Sequence, residues 1–98
     1  MSTIYDGDVE WDEEKALTNL EKHGVSFEEA ATVLADPSAV YFDDGGGTGR
    51  IAVVGVSAFK ERLLYVVTLE RKMRERIISA RKAEPREVAL YRNRGEAS

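Results

Sequence analysis

His23 is the one side chain in this sequence whose ordinary pKa lies near neutrality, so it is the natural candidate for a general acid or base. It ends a helical pattern, after Lys22 and before Gly24, where the negative end of a helix dipole favours its charged form. A catalytic role and a plain helix-terminal role both fit that place. The arginines are the second chemical group. Arg74 and Arg76 stand in one alternating segment that ends in Arg81 and Lys82. Arg50 opens another, Arg71 and Lys72 sit in a turn, and Arg86, Arg92 and Arg94 lie near the C-terminus. Guanidinium groups grip phosphate oxygens through paired hydrogen bonds and stabilise charge building up on phosphorus. The competing reading is an ordinary polar sheet edge.

A glycine-rich run, Asp43-Asp44-Gly45-Gly46-Gly47-Thr48-Gly49, invites comparison with phosphate-cradling loops. It lacks the Gly-Lys-Ser/Thr ending of a P-loop, and an apolar strand rather than a helix follows it. A hairpin loop is the better reading. There is no cysteine and only one histidine, which leaves no thiolate or histidine-based metal centre and no disulfide framework. No cofactor is expected. The first residues lack the basic-then-apolar order of a signal peptide, and no apolar run approaches the roughly 18 residues of a membrane span. A cytoplasmic location with no membrane contact is therefore expected.

Charge is divided along the chain. The first 48 residues carry twelve acids against Lys15 and Lys22, whereas the remainder carries twelve bases against six acids. The halves are −10 and +6, within a net charge of −4. Such a division suggests a polyanion or an acidic partner on one surface.

Elements must position these groups. Asp12 is placed to cap a helix running to about His23, with Trp11 stapled onto Ala16 and with Ala16, Leu17 and Leu20 as its apolar stripe. Gly24 supplies a left-handed stop. Ser26-Phe27-Glu28-Glu29 reads as a capping box, with Glu29 reaching back, and Pro37 closes this second helix. The pattern then alternates. Strands are expected at 39–42, 51–58, 62–70 and 74–82, joined by short, hence antiparallel, connections. Pro85 opens a last helix onto which Val88 and Tyr91 are spaced to pack, and the chain from Asn93 on is expected to fray. Regular alternation puts Arg74, Arg76 and Lys82 on one face of the last strand and Ser79 and Arg81 on the other, unless a bulge intervenes. The sum is one α+β domain over residues 1–98, ordered from about 9 to 92. It has an N-terminal helical hairpin packed on a mainly antiparallel four-stranded sheet, closed by a C-terminal helix.

At this level of detail the sequence resembles a known family. Val9-Glu10-Trp11-Asp12-Glu13-Glu14-Lys15, Asn19 and Lys22-His23-Gly24-Val25-Ser26-Phe27-Glu28-Glu29-Ala30 are similar to the N-terminal signature of the BrnT toxins. Asp36-Pro37, Arg50, Val54-Gly55-Val56-Ser57, Arg62-Leu63-Leu64, Thr68-Leu69-Glu70, Arg76-Ile77-Ile78-Ser79-Ala80-Arg81-Lys82-Ala83 and Arg86-Glu87 with Tyr91 agree in order and spacing.

The resemblance implies a RelE-like, metal-independent endoribonuclease. It would cleave RNA by attack of a ribose 2′-hydroxyl on the adjacent phosphate and so inhibit translation. It also implies neutralisation by a BrnA-like antitoxin, whose DNA-binding domain would bring the complex to operator DNA. Carried over, the resemblance implies Arg50, Arg76 and Arg81 as phosphate clamps, His23 or Glu70 in proton transfer, Lys22 as a further phosphate contact and Ser79 as support for the strand. Arg74 and Lys82, basic residues of the same segment, are expected to add RNA contacts. Gly49 stands where members often have Glu, and Glu84 where the last helix usually has a Ser or Thr cap. The overall acidity also departs from the family's usual basic balance. A non-catalytic binding module acting in complex assembly and operon repression is the competing function.

Overall fold

Three of the helix ends are set by caps that the sequence announces. The computed structural model describes residues 2–44 and 49–94. Its elements are β1 (Thr3–Asp6), β2 (Val9–Asp12), α1 (Glu13–His23), α2 (Phe27–Val33), β3 (Val40–Asp43), β4 (Arg50–Val56), β5 (Leu63–Arg71), β6 (Arg74–Lys82) and α3 (Pro85–Arg92). Asp12 Oδ2 accepts the Lys15 N–H at 3.0 Å, and Gly24, at φ 69°, donates its N–H to the Leu20 carbonyl. Ser26 Oγ accepts the Glu29 N–H at 3.0 Å. The expected return bond from Glu29 is not made. Its carboxylate turns instead to Arg62, at 2.7 and 2.8 Å, and ties α2 to the start of β5.

The α+β class holds, but the expected architecture is corrected. The sheet has six strands in the order β1-β2-β6-β5-β4-β3, and it is mixed because β2 runs parallel to β6. The chain therefore opens on a β-hairpin, not on a helical hairpin. The segments 3–6 and 9–12 are short and carry acids, and Trp11-Asp12 reads locally as a pre-helix staple and cap; only pairing with distant β6 reveals them as strands. Helix α1 then packs mainly on β6 and β2 rather than on α2. Its expected apolar stripe is not its buried side either: Leu17 is 62% exposed, while Asn19 is buried. Asn19 donates to the Ala80 carbonyl at 2.8 Å and to the Val25 carbonyl at 3.0 Å, and accepts the Ala80 N–H at 3.2 Å. This side chain satisfies β6 where β2 has ended, as a neighbouring strand would.

The core lies between α1, α2 and one face of the sheet. Trp11, Val25, Phe27, Ala30, Val33, Val53, Leu64, Val66, Ile77 and Ala80 form a buried cluster, with the Trp11 ring edge-on to Phe27 at 6.3 Å. Full burial of each large side chain contributes about 1.5–3 kcal/mol. Ala52, Val54 and Val67 alternate onto the other face and are buried as well. Helix α3 packs on β4, and its Tyr91 hydroxyl donates to Asp36 Oδ2 at 2.8 Å. Asp36 also accepts the N–H groups of Val56 (2.9 Å) and Ser38 (2.8 Å), so one carboxylate joins the end of α2, β4 and α3. Gly55 makes this junction possible. A Cβ there would lie 3.0 Å from Val33 Cγ1 and 3.1 Å from Asp36 Oδ2.

The glycine-rich run at 45–48 and the tail at 95–98 lie outside the described residues. No helix among the described residues is long and apolar enough to cross a membrane.

Candidate functional site

The arginines depend on one irregularity in β6. Thr68 pairs with Ile77 but Val67 pairs with Ser79, so Ile78 is an extra residue, a β-bulge. Ile77 and Ala80 both point into the core, three residues apart. The alternation is shifted by one, and Arg74, Arg76, Ser79 and Arg81 come to share the face turned away from α1 and α2. This corrects the regular-strand grouping: Arg81 joins Arg74 and Arg76, while Lys82 falls on the other face, opposite Leu64.

Arg76 has an extended transverse row. It pairs with Leu69 on β5, which pairs with Arg50 on β4; on the other side it neighbours Glu10 of β2, which pairs with Tyr5 of β1. Arg50 and Arg76 are thus two strand spacings, about 10 Å, apart on one face. Arg81 lies roughly 15 Å along β6 from Arg76.

Neither Arg76 nor Arg81 is a bare cation. Arg76 is ion-paired with Glu10, whose side chain is 8% exposed. Arg81 makes a fork with Glu87, Nη1 and Nη2 each 2.8 Å from a carboxylate oxygen, and its guanidinium lies 4.1 Å from the Tyr65 ring centre. Glu87 also accepts the Glu84 N–H at 2.8 Å, so the side chain that closes the first turn of α3 also fixes Arg81. Burial pushes the Glu87 carboxyl up, but the hydrogen bonds from Arg81 and the Glu84 N–H outweigh it and leave it below the ordinary carboxylate value. Arg81 is held above its usual value, chiefly by the hydrogen bond to Glu87. The sequence reading missed Glu10 and Glu87 as partners; the Arg86-Glu87 pair in the resemblance was the available signal for the second.

His23 and Lys22 end α1 beside a groove of about 390 Å³ that Lys15, Asn19, Ile78 and Ser79 also line. The bulged Ile78 is part of its lining. Ser79 is the residue shared between this groove and the arginine face. Glu70 is placed apart. It pairs with Glu75 on the face opposite Arg76, beside a second pocket of about 740 Å³ lined by Asp8, Tyr41, Thr68 and Glu75 and, at the hairpin end, by Arg74. The structure thus brings Arg50, Arg74, Arg76 and Arg81 onto one face and sets Lys22 and His23 at its margin, while Glu70 and Lys82 lie on the other side. Among the described residues no group of three or more His, Cys, Asp or Glu side chains is placed to hold a metal ion.

Comparison with known proteins bears on this arrangement. A family model described as the ribonuclease toxin BrnT of type II toxin–antitoxin systems matches residues 11–87. A search of curated proteins finds no match. Among solved structures, the crystal structure of the Brucella abortus ribonuclease toxin BrnT superposes with a TM-score of 0.60 at 27% identity, covering 76% of this chain and 92% of that one. The chain belongs to the BrnT family of ribonuclease toxins of type II toxin–antitoxin systems.

Proposed function

We propose that this protein is a metal-independent endoribonuclease whose arginine face holds RNA while a ribose 2′-hydroxyl attacks the adjacent phosphate. Family membership brings an RNA substrate and an antitoxin partner; the finer mechanism is our reading. The observation that carries it is the bulge at Ile78, which sets Arg76 and Arg81 on one face with Arg50 in the same transverse row. In the proposed step the 2′-oxygen loses its proton and bonds to phosphorus. The P–O5′ bond breaks, and the departing oxygen takes a proton. The products are a 2′,3′-cyclic phosphate and a 5′-hydroxyl. Negative charge grows on the non-bridging oxygens, where two guanidiniums stabilise it. His23 is assigned the proton transfer, because its groove meets the arginine face at Ser79 while Glu70 stands on the other face. Lys22, Arg50 and Arg74 contact flanking phosphates. A bound phosphate would compete with Glu10 and Glu87 for Arg76 and Arg81.

Those two ion pairs also favour a second reading, a weakly active toxin that serves in antitoxin binding and operon repression. Here the antitoxin would be BrnA-like, with its own DNA-binding domain. Inducing the protein alone in bacteria separates the two. Growth arrest with loss of translation, relieved by Arg81→Ala, is the result expected for the nuclease. Undisturbed growth while folded protein accumulates would favour the binding module.

A further inference from the structure

The end of the β5–β6 hairpin breaks two local rules at once. Arg71 and Arg74 face each other directly, as do Glu70 and Glu75. Like charges in directly opposed pairs destabilise a hairpin. The signs are sorted by face, bases on the arginine face and acids on the reverse. The turn between them is Lys72-Met73, with φ of 51° and 67°. Positive φ at both centres of a two-residue turn is what Asn-Gly supplies readily and what Lys and Met adopt at a cost. Local conflicts of this kind concentrate at functional sites.

Beside this turn stands Tyr5 of β1. This residue is 63% exposed and shares the transverse row of Glu10 and Arg76. The Arg74 guanidinium lies 4.9 Å from the ring centre and donates to the Gly7 carbonyl, so the β1–β2 and β5–β6 turns are held side by side. Tyr5 precedes the residues matched by the family model.

We propose that Tyr5, Arg71, Lys72 and Arg74 form an outer subsite for single-stranded RNA. In it one nucleobase stacks on the Tyr5–Arg74 pair, and a flanking phosphate is held by Arg71 and Lys72. This rests on the arginine face being the RNA-binding face. A ring already paired with a guanidinium is a sequence-tolerant stacking platform, because every base offers a π-face. The sorted charge places cations, without intervening carboxylates on that face of the hairpin, where the strand leaves Arg76.

The test is binding of a short single-stranded RNA with 2′-O-methyl riboses, which cannot be cleaved, measured by fluorescence anisotropy across a salt series. Tyr5→Ala is expected to weaken binding roughly tenfold, with Tyr5→Phe within about twofold of the parent. Replacing the turn by Lys72→Asn with Met73→Gly is expected to raise Tm by roughly 5 °C while the salt slope falls by about 0.7. A protein made more stable yet a poorer RNA binder is the signature of this subsite. If Tyr5→Ala and the turn variant bind as the parent does while Arg76→Ala loses affinity, the outer subsite is overturned and the face stands. If Arg76→Ala also binds as the parent does, the face itself is wrong and the subsite falls with it.

Discussion

The two faces of β6 are built by opposite rules. On the inner face Ile77 and Ala80 are sealed under α1 and α2, no buried side-chain polar atom among the described residues lacks a hydrogen-bond partner, and Asn19 closes the strand edge. On the outer face Arg74, Arg76 and Arg81 lie in a line, held by carboxylates and tyrosines rather than by a core. A single extra residue, Ile78, lets one strand serve both faces. The inner face is where the chain stores stability. The outer face concentrates cations at an electrostatic cost, the expected arrangement for a surface that meets a polyanion.

Perturbing one face at a time separates these roles. The largest expected effect is on the outer face. Arg81→Ala is expected to lower the cleavage rate by roughly 10²–10³-fold, the scale for losing one charge-stabilising donor. Single-turnover kinetics on a folded variant checks this. On the inner face, Ile77→Ala is expected to cost about 2–5 kcal/mol in chemical denaturation, with the activity of the remaining folded protein kept. Arg76→Ala touches both accounts, because it strands the buried Glu10 carboxylate at roughly 1–3 kcal/mol. Adding Glu10→Gln is expected to recover most of that stability and none of the activity; recovered activity would show that Arg76 is only a structural counter-ion.

Acid provides the next comparison. Glu29 is held below the ordinary carboxylate value first by the Arg62 hydrogen bond. Asp36 and Glu87 are pushed up by burial but brought below their ordinary values by donated hydrogen bonds. Groups with depressed folded pKa values stabilise the fold above their unfolded pKa, about 4. That stability is lost as pH falls through the lower folded values. Urea midpoints are expected to be flat above about pH 5 and to drop below about pH 4. With Glu87→Gln the drop is expected to be shallower. The smallest effect is Tyr91→Phe, about 1–2 kcal/mol for the hydroxyl that Asp36 accepts, read from the same denaturation curves.

Much of this was legible in the sequence. Asp12, Gly24 and Ser26 announced the helix ends because caps act within a few residues. The strands β4 and β5 were visible because nearly continuous apolar runs mark buried sheet, and β6 because a short turn joins it to β5. The first two strands were not, since four residues carrying acids acquire strand character only by pairing across the fold with β6. The bulge was equally invisible. Alternation alone separates Arg76 from Arg81, and the register with Val67 and Thr68 is what reunites them. Several signature positions proved to be scaffold: Asn19 docks β6, Asp36 joins three elements, and Gly55 is the gap that lets them meet. Arg50, Arg76 and Arg81 were named together from the family resemblance, and the strand register puts them on one face; the Arg76 ion pair was not legible, because Glu10 lies 66 residues away in sequence.

The most direct test of the outer face is the product of the reaction. The purified protein is incubated with single-stranded RNA in excess EDTA, and the fragment ends are identified by mass spectrometry. Cleavage to 2′,3′-cyclic phosphate and 5′-hydroxyl ends, lost in folded Arg76→Ala and Arg81→Ala variants, is the result this account predicts. Cleavage that stops in EDTA and returns with a divalent cation, or that survives loss of both arginines, would contradict it.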